Sequence, residues 1–554
     1  MKTFFRTFLF VQALLIIFSF DLSAQNFEWA QGIGTNGLVQ SNGIAGDSKG
    51  NTYITGAFSG SPTFDTFKLS ASSNDIFIAK YSPSGKCLWA TCPTNTDLST
   101  GFGICADAKG NSYISGYFSG TLTFGSILLT SYGGNDIVIA KYDSNGICLW
   151  AKHAGSTGND NGIAIAADGN GNCIVTGYFA ATATFGSNQL TSYGSTDIFI
   201  AKYGEDGNCI WVKKAGSYYS DYGYGIAADV NGNIGITGTY TGAATFGTIQ
   251  LSSYGQNDIF TARYDSSGNC LWAKHAGTKN QEMGNAIAFD SNLNSYITGS
   301  FMGIANFDII QITSNGLSDI FTAKYDSSGN CLWANDAGGA GSDVGRCISV
   351  DTKGNSYVSG TFQDTAYFGD EQISSFGGYD IFIAKYDSSG KLLWIRHAGG
   401  ASNDGAYGIF ADANQNCYST GNYSYSATFG NFQLTSFSSS TFLAKISDAS
   451  TGMKAKLNFM PEEYSLQQNF PNPFNPSTRI KYSLPFESKV RIIIYNSLGQ
   501  AVSELANGYE EAGTHEVSFN AAGLSSGVYF YSLQTNSTDG VKNYTATKKM
   551  MLLK

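Results

Sequence analysis

The sequence predicts an all-β protein: a seven-bladed β-propeller followed by a small immunoglobulin-like β-sandwich. Short apolar runs separated by Gly, Asn, Asp and Ser dominate the chain, and no long helical periodicity interrupts them. A long repeat occupies most of the sequence, and the composition changes sharply after Ser447. At 554 residues the chain is also too long for a single hydrophobic core, so we expect two or more domains.

The repeat is most visible in the tryptophans. All 7 Trp share one position of the repeat, the first interval being 60 residues and the next five 61 residues: Trp29, Trp89, Trp150, Trp211, Trp272, Trp333 and Trp394. A DIF-like strand, a turn of the form D-x-x-G-N and a TFG-like motif recur at the same interval. A fixed period of this kind is the sequence signature of a repeat architecture.

Each unit of the repeat divides into four strands. In one unit these are Gly225–Asp229, Ile234–Tyr240, Asp258–Tyr264 and Cys270–Ala276. The turns between them begin with Asp and end with Gly, which adopts the positive φ that tight hairpins require. Four-stranded units repeated seven times are typical of a seven-bladed β-propeller, which we assign to residues 25–447.

The two ends of the repeat are complementary. The last copy stops after its third strand, Thr441–Ser447, whereas the first strand of the chain, Asn26–Gly32, contains Trp29 but follows no DIF-like strand. We therefore expect the N-terminal strand to complete the last blade, since unpaired sheet edges are costly. Unit by unit, Asn26 to Ser447 resembles the SBBP-type β-propeller repeats of bacterial surface and secreted proteins. That resemblance implies the fold and says little about a ligand.

The first residues have the form of a targeting segment. Lys2 and Arg6 precede an apolar run through Phe20, and Ala24 offers a small residue before a cleavage point at Gln25. The sequence thus predicts a signal peptide over residues 1–24. We expect no membrane-spanning helix after the signal peptide is removed.

The composition after residue 447 is different. Five of the 8 prolines lie between Pro461 and Pro485, and alternating β runs follow them. We predict a linker over residues 448–465 and a small β-sandwich over residues 466–554.

The segments NFPNPFNPSTRIKYSLP (Asn469–Pro485), VRIIIYNSLGQAV, AGTHEVSF, LSSGVYFYSL and the terminal TKKMMLLK resemble the type A sorting domain of the Bacteroidetes type IX secretion system. The resemblance implies export through the periplasm to the outer-membrane surface or the medium, with the secretion machinery as a partner. An ordinary immunoglobulin-like accessory domain is the alternative. The residues that carry the sorting signal by this resemblance are Asn472, Pro473, Phe474, Asn475, Pro476, Gly499, Gly527, Tyr529, Lys548 and Lys549.

Cysteine and histidine positions follow the repeat rather than a catalytic pattern. Five cysteines precede a repeat Trp by two residues, so we interpret them as packing residues that form no disulfides: Cys87, Cys148, Cys209, Cys270 and Cys331. His153, His275 and His397 are copies of one position, which we interpret as a surface-strand position. We therefore predict no catalytic residues, although the sequence does not settle whether the protein is an enzyme.

One set of acidic residues could form a binding site. Ten residues after five successive Trp positions stand Asp160, Asp221, Glu282, Asp343 and Asp404, with Ser99 and Val39 at this position in the first two copies. These acids could surround the channel mouth and hold a basic ligand or a calcium ion. The alternative is that they cap turns. We predict no other cofactor.

Two function classes fit these observations. The first is a secreted or surface-displayed binding or scaffold protein for a glycan or protein ligand, since nearly every notable residue belongs to the repeat. The alternative is an extracellular hydrolase or lyase with its site at the channel mouth. The net charge of -10, from 32 Lys and Arg against 42 Asp and Glu, argues against nucleic-acid binding.

Overall fold

The computed structural model describes residues 27–447, 464–469, 471–486, 488–510, 513–537 and 543–553. The chain divides into two compact units, Met1–Ser450 and Thr451–Lys554. The predicted signal peptide and residues 448–463 of the predicted linker lie outside the described residues. Within the described ranges every regular element is a β-strand, and none is a helix long and apolar enough to cross a membrane.

The first compact unit contains seven sets of four antiparallel strands, which we number in chain order as units 1 to 7. From first to fourth strand, unit 1 has Thr35–Gly46, Thr52–Phe64, Ala71–Tyr81 and Cys87–Thr91. Unit 2 has Ser99–Ala106, Ser112–Phe118, Asp136–Tyr142 and Cys148–Ala154. Unit 3 has Asn161–Ala167, Cys173–Phe185, Asn188–Tyr203 and Cys209–Gly216. Units 4 and 5 are Tyr222–Ala228, Ile234–Tyr240, Asp258–Tyr264 and Cys270–Ala276; Met283–Phe289, Ser295–Phe301, Asp319–Tyr325 and Cys331–Gly339. Units 6 and 7 are Val344–Val350, Ser356–Phe368, Glu371–Tyr386 and Leu392–Ala398; Gly405–Ala411, Cys417–Phe429, Phe432–Ile446 and, from the start of the chain, Phe27–Ile33.

The first strands of these units contact one another in chain order. The first strand of unit 7, Gly405–Ala411, also contacts that of unit 1, Thr35–Gly46. The sheets therefore stand around a common channel with their first strands innermost, which is the arrangement of a β-propeller.

The predicted pairing of the two ends of the repeat is confirmed. Phe27–Ile33 pairs antiparallel with Phe432–Ile446, and Trp29 lies opposite Lys445. Lys445 Nζ lies 2.9 Å from a carboxylate oxygen of Glu28. The N-terminal strand thus completes the sheet of unit 7 and covers an edge that would otherwise be unpaired.

The connection between the second and third strands contains further short strands in several units. In unit 4 it contains a hairpin, Ala243–Phe246 with Ile249–Ser252, and Phe246 of the TFG-like motif is fully buried against Phe260. The sequence interpretation missed that this motif supplies a buried anchor. The other short strands outside the seven sets are Phe67–Lys68, Thr94–Asn95, Thr121–Phe124, Ile127–Thr130, Ile304–Phe307 and Ile310–Thr313.

The second compact unit contains two antiparallel sheets. One has the strands Ser465–Leu466, Ser477–Leu484 and Gly513–Asn520; the other has Ala501–Glu510, Ser488–Asn496, Gly527–Ser537 and Asn543–Leu552. Apolar side chains from both sheets, among them Ile480, Ile492 and Leu533, form one buried cluster. This unit therefore has a hydrophobic core of its own.

Candidate functional site

Two rings of side chains from the innermost strands line the channel. One position is isoleucine in every unit: Ile44, Ile104, Ile165, Ile226, Ile287, Ile348 and Ile409. The position two residues earlier differs from unit to unit: Asn42, Phe102, Ile163, Tyr224, Asn285, Arg346 and Tyr407. Both rings border a cavity of about 430 Å³. We call the second set of seven the variable ring.

The variable ring is built by a backbone irregularity that every unit shares. In each first strand the pairing register shifts across this position, for example between Gly345 and Cys347 in unit 6 and between Ala406 and Gly408 in unit 7. The ring residue is the extra residue of a β-bulge, and such bulges redirect a side chain away from the sheet. The fold therefore presents a residue that changes from unit to unit to the channel.

Arg346 is the one charged residue of the variable ring. Its side chain is half-buried, and its guanidinium carbon lies 5.9 Å from the centre of the Tyr407 ring. Its Nε is shielded from solvent and meets no hydrogen-bond acceptor among the described residues. A second cavity, of about 400 Å³, opens beside it and is also bordered by Tyr379, Asn403 and Asn422. We call this second cavity the mouth cavity.

The five acids predicted to surround the channel mouth are buried. Asp404 accepts N–H bonds from Gly400 and Ser424, both at 2.8 Å, and Asp343 accepts them from Gly339 and Gln363 at 2.9 and 3.0 Å. Asp160, Asp221 and Glu282 likewise accept the N–H of the residue four positions earlier. This geometry matches the turn-capping alternative. A calcium-binding role stays a prediction, and the described residues contain no group of three or more His, Cys, Asp or Glu suited to a metal ion.

A second set of acids begins the third strands. Asp75, Asp136, Asp197, Asp319 and Asp380 are buried, and one carboxylate oxygen of each meets no partner among the described residues. Burial raises their pKa values: to about 7 for Asp136 and Asp319, and to about 6 for the other three. We call these five residues and Asp258, which has the same position in unit 4, the junction aspartates.

The histidines lie beneath exposed aromatic rings, which the sequence interpretation missed. Ring centres are 4.9 Å apart for Tyr132 and His153, 4.8 Å for Tyr254 and His275, and 5.0 Å for Phe376 and His397. In unit 3 the ring of Tyr193 contacts a lysine, with Lys214 Nζ 3.3 Å from its centre. All four rings are more than half exposed. We call Tyr132, Tyr193, Tyr254 and Phe376 the aromatic row; an aromatic residue four positions before the strand-opening Asp was the available signal.

The imidazoles are also more buried than the predicted surface-strand position implies. This burial lowers the pKa values of His153 and His397. All ten cysteines are free thiols in the structure, and from the sequence we interpret those before a repeat Trp as packing residues. Of the five before a repeat Trp, Cys87 is buried and the other four are partly exposed.

A third cavity, of about 810 Å³, lies where units 7 and 1 meet. Gly32 occupies the repeat position that holds histidine in units 2, 4 and 6, and it borders this cavity with Tyr423 and Phe437. The remaining lining is mainly glycine and serine, so the cavity is uncharged.

The residues of the predicted sorting signal lie in the second compact unit, in several of its strands and turns. The N–H of Phe474 donates to Met551 O at 2.9 Å, and the N–H of Met551 donates to Asn472 Oδ1 at 2.8 Å. Lys548 and Lys549 lie in the last strand, opposite Tyr531 and Phe530. Gly499 adopts a φ of 77° in a tight turn, and Tyr529 donates its hydroxyl hydrogen to Ser525 O. The NPFNP segment is thus joined to the C-terminal strand.

Comparison with known proteins separates the two compact units. Residues 468–547 match the family described as Secretion system C-terminal sorting domain. Over 463 residues, 67% of this chain and 33% of the relative, the chain is 26% identical to an uncharacterized WD repeat-containing protein of Acanthamoeba polyphaga mimivirus. Over 169 residues, 29% of this chain and 18% of the relative, it is 26% identical to the regulatory protein FlaEY of Caulobacter vibrioides. The chain therefore spans a third or less of the length of these curated relatives.

Two solved structures are also similar. The WD40 domain of SCAP from fission yeast matches with 8% identity and a TM-score of 0.30, covering 76% of this chain and 98% of that one. A member of the duf4221 family from Bacteroides vulgatus matches with 9% identity and a TM-score of 0.27, covering 61% and 90%.

The family match defines the destination of the protein. The chain ends in a secretion system sorting domain, which indicates export by type IX secretion to the cell surface or the extracellular space. The all-β repeat region is similar to a WD repeat-containing protein, in agreement with its ring of sheets.

Proposed function

We propose that this chain is an exported binding or scaffold protein that attaches to an extracellular glycan. In this proposal the seven units are the blades of one closed propeller of the SBBP type, and residues 1–24 are a signal peptide removed during export. The C-terminal unit is an immunoglobulin-like sandwich that the type IX machinery recognises after passage through the periplasm.

The aromatic row is the observation that carries the binding role. One face of each ring lies against a histidine or lysine, while more than half of the side chain remains open to water. The exposed face of such a ring can stack on the apolar C–H face of a sugar, because its other face is already fixed against the protein. The four rings belong to units 2, 3, 4 and 6. If they contact one polysaccharide together, the overall affinity far exceeds the affinity of a single ring.

Affinity electrophoresis of the purified chain through gels that contain soluble polysaccharides, following a glycan array, tests this function. The triple variant Tyr132→Ala, Tyr254→Ala, Phe376→Ala should lose binding by about 10²-fold or more, since each lost ring removes one attachment of a multivalent contact. Each single variant should lose only a few-fold.

Tyr367 provides the matched control, because it is also about half exposed but lies outside the row. Tyr367→Ala should migrate as the wild type does. Unchanged retardation of the triple variant, or equal losses in the triple variant and Tyr367→Ala, would contradict a role for the row.

A further inference from the structure

The mouth cavity is bordered by one positively charged side chain, that of Arg346, which forms no ion pair with the described residues. The chain is acidic, with a net charge of -10, yet Arg346 is the single charged residue among the seven that enter the channel. The repeat does not require arginine there, because the other six units place Asn, Phe, Ile or Tyr at the same bulge. Arg346 is therefore not explained by the packing of the sheets.

The nearest acids do not neutralise Arg346. Asp343 and Asp404 are buried, and both oxygens of each accept backbone N–H bonds between 2.8 and 3.0 Å. No ion pair to Arg346 occurs among the described residues, and its Nε meets no acceptor there. A guanidinium held in a half-buried channel without an anion is a strong donor for a carboxylate, to which it can make paired hydrogen bonds.

Asp404 also borders the mouth cavity, with both carboxylate oxygens occupied by backbone N–H bonds. Apart from Asp404 and Val344, the remaining side chains of the lining are neutral and polar. Gln40, Thr361, Tyr379, Asn403 and Asn422 border the cavity beside Tyr407. Asn422 is fixed in orientation because its Oδ1 accepts from Ser41 N at 3.2 Å and Thr441 Oγ1 at 3.1 Å. Amides, hydroxyls and an aromatic face are the groups that recognise the hydroxyls and C–H face of a sugar, and about 400 Å³ lies within the range of small-molecule sites.

We propose that the mouth cavity binds an acidic sugar, with Arg346 binding the carboxylate and Tyr407 and the neighbouring amides contacting the ring and its hydroxyls. One cation matches one negative charge, so the site favours a monoanionic carboxylate over a phosphate. The site uses none of the residues of the aromatic row, so it can fail or hold independently of the function proposed above.

Calorimetric titration of the purified chain with glucuronic and galacturonic acids, with glucose and galactose as neutral counterparts, tests the site. The acids should bind at least about tenfold more tightly than the neutral sugars, since charged hydrogen bonds to carboxylate exceed those to neutral groups. Arg346→Met should reduce the affinity for the acids to that for the neutral sugars. Arg346→Lys should recover only part of it, because lysine cannot form the paired bonds.

Lys353→Met is the matched control. Lys353 is exposed in the turn between the first and second strands of the same unit, so the variant changes the net charge equally at the other end of the sheet. It should bind the acids as the wild type does. Melting temperatures of all variants establish that they fold.

A second measurement needs no variant. Phenylglyoxal, which reacts with arginine, should modify Arg346 in the wild-type chain, and glucuronic acid but not glucose should slow that reaction, as followed by mass spectrometry. Equal binding of acidic and neutral sugars, absence of binding by either acid, or an Arg346→Met variant that still binds them would overturn the proposal. Binding of inorganic phosphate with no binding of either acid would also overturn the assignment to a carboxylate.

Discussion

Two sets of buried aspartates stand at opposite ends of the second strands and differ in how their charge is satisfied. The first set begins the turns between first and second strands: Asp47, Asp107, Asp168, Asp229, Asp290, Asp351 and Asp412. We call these the turn aspartates. The second set is the junction aspartates, at the start of the third strands. Both are almost inaccessible to water. The comparison isolates the effect of hydrogen-bond donors from the effect of burial.

The turn aspartates are supplied with donors. Asp168 accepts the N–H of Asn170 and Asn172 at 2.9 and 3.0 Å, and Asn172 Nδ2 and Lys202 Nζ at 2.8 and 3.0 Å. Burial alone would raise its pKa, but these bonds outweigh burial and hold the pKa below its ordinary value. The same holds for Asp47 and Asp290.

The junction aspartates have too few donors. Asp136 accepts one N–H, from Tyr132 at 3.0 Å, while its other oxygen has no partner among the described residues. Burial, with a smaller contribution from the neighbouring Asp160, therefore raises its pKa to about 7. At neutral pH the fold thus favours the charged form of the turn aspartates Asp47, Asp168 and Asp290 and disfavours the charged form of the junction aspartates. Both sets nevertheless recur at fixed positions of the repeat.

The largest expected effect follows from removing a turn aspartate. Asp168→Ala would leave Lys202 buried without its carboxylate, and an uncompensated buried charge of this kind costs about 3–5 kcal/mol. Urea unfolding followed by tryptophan fluorescence should show a loss of that size in the free energy of unfolding.

Asp265→Ala is the matched control for this effect. Asp265 accepts the same pattern of bonds, from Ser267 N, Asn269 N and Asn269 Nδ2, but it is partly exposed to water. Its removal should cost about 1 kcal/mol, the net value of ordinary hydrogen bonds. Equal losses in the two variants would mean that the buried lysine does not distinguish them.

Much of the fold could be predicted because the same pattern of strands and turns recurs in seven copies, so each copy supports the interpretation of the others. Three of the four strands predicted for unit 4, Ile234–Tyr240, Asp258–Tyr264 and Cys270–Ala276, have the observed bounds, and the first begins three residues earlier, at Tyr222. The turn chemistry is also as predicted, for example Gly171 with a φ of 79°. The pairing of Phe27–Ile33 with Phe432–Ile446 could be predicted because each of the two ends of the repeat lacked a neighbouring strand.

The site could not be predicted in the same way. A β-bulge depends on pairing between strands, so the spacing of Arg346 and its six counterparts did not reveal that they enter the channel. Asp160 and its counterparts lie in the connections between units, and their carboxylates meet backbone amides that the sequence does not display. The variable ring was nevertheless visible as a repeat position of varied chemistry, two residues before a constant isoleucine.

A smaller effect is expected from neutralising a junction aspartate. Asp136→Asn should stabilise the protein at pH 8 by about 1–3 kcal/mol, the cost of an unsatisfied buried group. In the wild type the folded pKa of about 7 exceeds the unfolded value of about 3.9, so the folded state binds more protons between these pH values. The stability contributed by protonated Asp136 is therefore complete below pH 4 and lost as pH rises through 7.

Melting curves between pH 5 and 8 measure this difference. The wild-type melting temperature should fall as pH rises through this range, and Asp136→Asn should make the fall shallower. A variant with the same slope as the wild type would show that Asp136 does not titrate there.

The smallest effect is expected at the one junction aspartate that has a donor for each oxygen. Asp258 accepts Tyr254 N at 2.8 Å and Gly255 N at 3.3 Å, although burial still raises its pKa. Asp258→Asn should therefore gain less than half of what Asp136→Asn gains at pH 8, because it relieves no orphaned oxygen. Asp319→Asn, with the same orphaned oxygen and a pKa of about 7, should match Asp136→Asn. If the three variants gained equally, burial rather than the missing donor would set the cost of these carboxylates.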